Sequence, residues 1–261
     1  MAKRKPKQVK NKTQDKERLQ KVMASAGVDS RRKCEDLILE GAVEVNGVMV
    51  NELPAFVDPD KDEIKVSGKR LKRPERVYFL LNKPRGYICT NKDPHGRKKA
   101  IDLIDTKERL ISVGRLDAET TGALILTNDT GLANLLTHPK YELSKTYEVK
   151  LRGSVEGEDL EKLKKGLWLA EGRTNRAAVK VLSRTPKDTI VEITIRQGLN
   201  RQIRRMFARV GYKVKRLKRT KIGNIEMKGL PVGAYRTLTK SQVAYLKRVT
   251  AGRKGGRKKK K

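Results

Sequence analysis

Apolar positions repeat first with a helical period. Leu19, Val22, Met23 and Ala26 fall at i, i+3, i+4 and i+7, giving one apolar helix face that Gly27 ends. Ser30 or Asp29 can cap a second helix, whose inner face is Cys34, Leu37 and Ile38 and which Gly41 closes. The period then becomes two. Residues 43–50 alternate around Asn46-Gly47, a pair that favours a tight hairpin turn, and residues 63–66 supply one more short strand.

After a basic, proline-containing linker at residues 69–76 the pattern changes again. Residues 77–81 form an unbroken apolar run, as in a strand buried on both faces. Asn82-Lys83-Pro84-Arg85-Gly86 is a turn. An apolar run ending at Val113 is followed by the loop Gly114-Arg115-Leu116-Asp117-Ala118-Glu119-Thr120-Thr121-Gly122 and a second run, Ala123 to Leu126. Asp117 is thereby held between two core strands, a common place for catalytic groups. Further strands are expected at residues 145–149, 178–182, 191–195 and 214–217. Helices are expected around Leu132, Leu135 and Leu136, around Leu160, Leu163 and Leu167, over residues 200–210, and after a capping box at Thr239. Strands and helices mix without regular alternation. The fold class is therefore α+β: a small N-terminal unit followed by a larger domain with a mixed, largely antiparallel sheet. The expected boundaries are a basic tail at 1–15, domains at 16–72 and 73–250, and a Lys/Arg-rich tail at 251–261.

Charge changes the picture most. The 261 residues carry a formal net charge of +33. Residues 1–14 hold six Lys/Arg and no acid, and residues 247–261 hold nine and no acid. The remainder still has 48 basic and 30 acidic residues. A basic body with basic, disordered tails is the electrostatic footprint of a nucleic-acid binder. Residues 196–221 concentrate eleven Lys/Arg with no acid. Their helix presents Arg201, Arg204, Arg205 and Arg209, while Ile203 and Phe207 point inward. Such a density of like charge repels itself unless an anion, most simply an RNA backbone, neutralises it. Arg31, Arg32 and Lys33 open the second helix, where cations oppose the helix dipole, and this too points to a phosphate partner.

Several chemistries are unsupported. The chain has no phosphate-binding or dinucleotide-binding glycine loop, and with Cys34, Cys89, His95 and His138 it has no metal-ligand spacing, so neither metal nor cofactor is expected. No apolar run approaches a membrane span and no signal peptide is present, so a cytoplasmic protein with free thiols fits. A DNA-binding regulator would need a recognition-helix pair, and none is recognisable.

The two short helices and hairpin of residues 16–70 resemble the alpha-L RNA-binding domain. Four further motifs follow in order. They are Asn82-Lys83-Pro84-x-Gly86; Gly114-Arg115-Leu116-Asp117 continuing through Gly122 to Asn128-Asp129; Lys145-x-Tyr147; and Gly198-x-Asn200-Arg201-Gln202-Ile203-Arg204-Arg205-Met206. Together they resemble the RsuA/RluB family of ribosomal RNA pseudouridine synthases. One departure is that Thr130, then Gly131, follows Asn128-Asp129 where glycine is expected directly.

The resemblance implies cofactor-independent isomerisation of uridine to pseudouridine. Asp117 matches the catalytic aspartate, which either adds to C1′ or removes the 2′ proton. Arg204 matches the basic residue that pairs with this carboxylate. Tyr147 matches the active-site tyrosine and Leu217 the apolar residue packed beneath it. Arg115 is expected to hold the opened RNA once the uridine is flipped out, with Arg31, Arg32, Lys33, Arg201 and Arg205 as further RNA contacts. The long basic C-terminal extension favours 23S rRNA near the peptidyl-transferase region, or a large-subunit assembly intermediate, as the partner, with the enzyme a monomer. The alternatives are a small-subunit rRNA enzyme and a noncatalytic RNA-binding assembly factor.

Overall fold

The computed structural model describes residues 16–251, apart from 60 and 73. The basic tails at 1–15 and 252–261 lie outside the described residues. The chain divides into two compact units, Met1–Glu75 and Arg76–Lys261.

The first unit contains β1 (Glu17–Arg18), α1 (Leu19–Ser25), α2 (Arg31–Leu39), β2 (Val43–Val45), β3 (Val48–Val50), β4 (Phe56–Val57), β5 (Ile64–Val66) and β6 (Lys69–Arg70). Leu19, Val22, Met23, Cys34 and Ile38 are buried with Val43, Val57 and Ile64, so the two helical stripes and the sheet close one core. Ser30 caps α2, accepting from the Lys33 N–H at 3.3 Å. Asn46 and Gly47 both have positive φ (53° and 80°), as the two-residue turn between β2 and β3 requires. Four strands pair in the order β3-β2-β5-β6. Arg31, Arg32 and Lys33 are all exposed on the first turn of α2.

The second unit contains β7 (Tyr78–Lys83), β8 (Ile111–Ser112), β9 (Thr121–Thr127), α3 (Thr130–Thr137), β10 (Lys145–Arg152), α4 (Gly157–Lys165), β11 (Trp168–Leu169), β12 (Gly172–Arg173), β13 (Ala178–Arg184), β14 (Asp188–Ile195), α5 (Gln202–Arg209), β15 (Val214–Ile222), β16 (Ile225–Glu226), β17 (Tyr235–Thr237) and α6 (Lys240–Ala251). Residue 251 thus ends a helix and does not begin the tail. Its main sheet runs β13-β14-β10-β15-β9-β7-β17. All of these neighbours are antiparallel except β9 and β15, which pair parallel through Thr121–Lys218 and Gly122–Arg219. The sheet is mixed and largely antiparallel, as expected.

Strands β7 and β9 are buried on both faces. Leu81, Leu124 and Leu126 join one core with Tyr147, Val149, Ile193 and the apolar face of α5. Leu80, Ala123 and Ile125 join another with Leu132, Leu136 and Leu246. This is why both strands read as unbroken apolar runs. The Thr130 departure is absorbed locally. Asp129 caps α3, accepting from the Leu132 N–H at 2.9 Å, so Thr130 and Gly131 simply start the helix. The same buried carboxylate accepts from the Tyr78 hydroxyl at 2.7 Å. Burial, and then this carboxylate, push the Tyr78 hydroxyl up to about 12.

Candidate active site

The loop between β8 and β9 is held from below by a lysine. Lys83 is wholly buried at the end of β7, and its ammonium donates to the carbonyls of Pro84 (2.9 Å), Tyr87 (2.6 Å) and Ala118 (3.4 Å). The Gly86 N–H also donates to Ala118 O at 2.8 Å, and the Leu116 N–H to Cys89 Sγ at 3.4 Å. Arg85 forms an ion pair with Glu119. The turn after β7 and the loop are therefore one stitched assembly, with Asp117 next to its most tethered residue, Ala118. Burial lowers the Lys83 pKa, opposed by the nearby Cys89, Asp117 and Glu119.

The far end of the loop depends on Gly122. Its φ is +103°, and a Cβ there would lie 2.2 Å from Arg219 O. Only glycine lets β9 approach β15 this closely. Arg219 itself is 3% exposed, and its Nε donates to Ala123 O at 2.6 Å across the same junction.

Above this junction lies an open cleft of about 190 Å³, whose lining includes Arg115, Asp117, Lys145, Tyr147, Arg201, Leu217 and Arg219. Strand geometry explains the grouping. Lys145 and Tyr147 are two apart on β10, as are Leu217 and Arg219 on β15, so each pair shares a face. Tyr147 pairs with Arg219 and Val149 with Leu217, which makes Leu217 the diagonal neighbour of Tyr147 on the same face. Arg115 is exposed at the rim. Asp117, with 37% of its side chain exposed, faces the cleft.

The Asp117 carboxylate makes its ion pair with an arginine at the start of α5. Arg201 Nη1 lies 3.6 Å from Asp117 Oδ2. Arg201 precedes α5 in a left-handed conformation (φ +46°), which turns it off the helix and towards the loop. Arg204, in the first turn of α5, donates to Val214 O at 3.4 Å, and its Nε is buried without a hydrogen-bond partner among the described residues. Its pKa is lowered by burial first and then by Arg201, while Asp117 opposes both, so Arg204 is still within electrostatic reach of the carboxylate. Arg205 is directed away, to Glu171 at 2.8 Å.

Two cleft cations had no role assigned from sequence. Lys145 is drawn down to about 8, by burial first and then by the charge of Arg219. Arg219 carries a buried Nη2 with no hydrogen-bond partner among the described residues. The signal for both was the period of two relative to Tyr147 and Leu217. Among the described residues no cluster of His, Cys, Asp and Glu could hold a metal ion.

Comparison with known proteins decides the family. The model described as RNA pseudouridylate synthase matches residues 77–209, and that of the S4 domain matches residues 17–64. The chain belongs to the RNA pseudouridine synthases. Within this family it is 47% identical to the ribosomal large subunit pseudouridine synthase B of Bacillus subtilis, over 88% of this chain and 96% of that one. It is 37% identical to the protein of the same description from Pasteurella multocida, over 92% and 72%. A crystal structure described as a pseudouridylate synthase superposes with a TM-score of 0.64 at 34% identity, covering 88% of this chain and 99% of that one. The RsuA/RluB type of pseudouridine synthase, with an N-terminal RNA-binding S4 domain of the alpha-L kind, is thus the architecture of this chain.

Proposed function

We propose that this pseudouridine synthase modifies a uridine of large-subunit ribosomal RNA, 23S rRNA near the peptidyl-transferase region or an assembly intermediate containing it, acting as a cytoplasmic monomer. The large-subunit assignment is supported by the Bacillus subtilis and Pasteurella multocida relatives, whose descriptions name that substrate. The observation that carries the chemistry is the convergence of Asp117, Tyr147 and Leu217 on one cleft ringed by cations.

In this reading the target uridine is flipped out of its helix and Arg115, at the rim, fills or braces the opened RNA. The Tyr147 ring stacks on the uracil, with Leu217 packed beneath that ring. Asp117 starts the reaction, either by adding to C1′ as the N1–C1′ bond breaks or by removing the 2′ proton. The uracil turns within the cleft and C5 bonds to C1′, as the bond to Asp117 breaks in the first route or as the 2′ proton returns in the second. The proton on C5 then leaves, with the Tyr147 hydroxyl in position to assist. Every atom of the uridine except that exchangeable proton is kept, so no cofactor is consumed. Arg201 pairs with the carboxylate, and Arg204 lies within electrostatic reach of it. Arg31, Arg32, Lys33, Arg201 and Arg205 contact RNA backbone in a salt-sensitive, largely sequence-independent way.

The test is tritium release from rRNA labelled at uridine C5. Wild-type protein should release tritium and Asp117→Asn should not. An Asp117→Asn protein that turns over at the wild-type rate would remove Asp117 from the chemistry. Mapping pseudouridines in rRNA from a deletion strain identifies the position. Loss from small-subunit rRNA instead would overturn the large-subunit assignment.

A further inference from the structure

Trp168 is the single tryptophan of the chain, and it is 69% exposed at the start of the β11–β12 hairpin. Its large flat ring is thereby open to stack on a ligand. Its surroundings are cationic. Trp168, Leu169 and Ala170 form one wall of a shallow depression, and Arg205, Ala208 and Arg209 of α5 form the other. Arg205 Nη1 binds both carboxylate oxygens of Glu171, in the hairpin turn, at 3.0 and 2.8 Å, which fixes the hairpin against the helix. Arg209 is exposed and makes no ion pair among the described residues.

The depression is linked to the reacting centre. Arg205 and Arg209, four residues apart, share one side of α5, and Arg201 lies just before its first turn. At 1.5 Å per residue Arg205 and Arg209 are about 6 Å apart along the helix. Arg201 lies 3.6 Å from Asp117, and Arg209 lies beside Trp168. A cationic track leading to an exposed aromatic ring is the arrangement that binds single-stranded nucleic acid, with phosphates on the cations and a base on the ring.

We propose that Trp168 stacks on an unpaired base of the substrate RNA flanking the target uridine, with the exposed Arg209 on a neighbouring phosphate. This rests on the reading that the Asp117 cleft receives a uridine of a continuous RNA strand. Because the chain has one tryptophan, its emission reports this surface alone. The full-length protein is titrated with in-vitro transcribed ribosomal RNA, following tryptophan emission and, separately, binding to fluorescein-labelled transcript. Emission should be quenched in step with binding. Trp168→Ala should weaken Kd about 5- to 150-fold, and Trp168→Phe should restore most of it. Both variants change an exposed side chain, and their melting temperatures check that they fold as wild type does.

Saturated binding with unchanged emission, or a Trp168→Ala Kd within twofold of wild type, overturns the proposal and leaves the surface to another partner such as a protein. Tritium release on the same preparations separates the two readings. Release without quenching overturns the stacking alone. Quenching without release supports the stacking and removes the catalytic assignment of the cleft.

Discussion

Lys83 offers the sharpest test of how the catalytic loop is held. Lys83→Met keeps the length of the side chain and removes its charge and donors. Two short charge-assisted bonds disappear, to Pro84 O and Tyr87 O, together with the longer one to Ala118 O. Hydrogen bonds to a charged group contribute about 1.5–3 kcal/mol each, so the two short ones amount to about 3–6 kcal/mol. Against this stands relief from burying an ammonium, the effect that lowers the Lys83 pKa. A net destabilisation of about 2–4 kcal/mol is expected, read from urea unfolding at neutral pH. Activity should suffer beyond stability, because Ala118 adjoins Asp117. A displacement of about 1 Å at a reacting group costs on the order of 100-fold in rate. Tritium release under saturating rRNA, well below the unfolding transition, measures this as kcat. A Lys83→Met protein with wild-type stability and wild-type kcat would refute the view that this ammonium holds the loop.

Three further outcomes are expected. Gly122→Ala places a Cβ 2.2 Å from Arg219 O at φ +103° and should destabilise the catalytic unit by at least about 3 kcal/mol, seen in thermal unfolding; a loss under 1 kcal/mol would show that β9 and β15 can separate freely. Lys145, near 8 in the folded chain against 10.5 in its ordinary state, favours folding above the higher value, and that contribution is lost as pH falls through the lower one. Lys145→Met should therefore gain at most about 3 kcal/mol over wild type at pH 7 and almost nothing at pH 11, and a pH-independent difference in urea unfolding would contradict this. Arg201→Ala should lower kcat/KM about tenfold with little change in stability, since its pair with Asp117 is partly exposed, whereas Arg204→Ala should also destabilise by about 1–2 kcal/mol through lost packing on β15; equal stability effects would reverse these roles.

Much of the site was legible because it rests on local patterns. The Asn46-Gly47 hairpin, the buried runs of β7 and β9, and the glycine-bounded loop around Asp117 each depend on a few adjacent residues, and each formed as expected. What could not be read depends on approaches between distant segments. Gly122 was legible as a turn glycine, but its decisive neighbour, Arg219, is reached only through the β9–β15 pairing. Arg201 was legible as one of four arginines on a helix. Its left-handed backbone, which turns it towards Asp117, carried no separate sequence signal. Lys145 and Arg219 alternate correctly with Tyr147 and Leu217, yet alternation alone does not distinguish a cleft from a core. Trp168 lies just past the end of α4, where nothing local shows whether a ring is buried.

The parallel junction of β9 with β15 also bears on when the enzyme can first work. Gly122 and Arg219 are separated by most of the catalytic unit, including β10, α4, β14 and α5. Closing so long a loop is entropically costly and is rewarded only once β15 is available to pair. Tyr147 can enter the β10–β14 pairing earlier, but Leu217 and the support behind Gly122 cannot. During synthesis, therefore, the loop bearing Asp117 emerges long before its cleft exists. A nascent chain that has not yet released β15 can hold RNA through its S4 domain without being able to modify it.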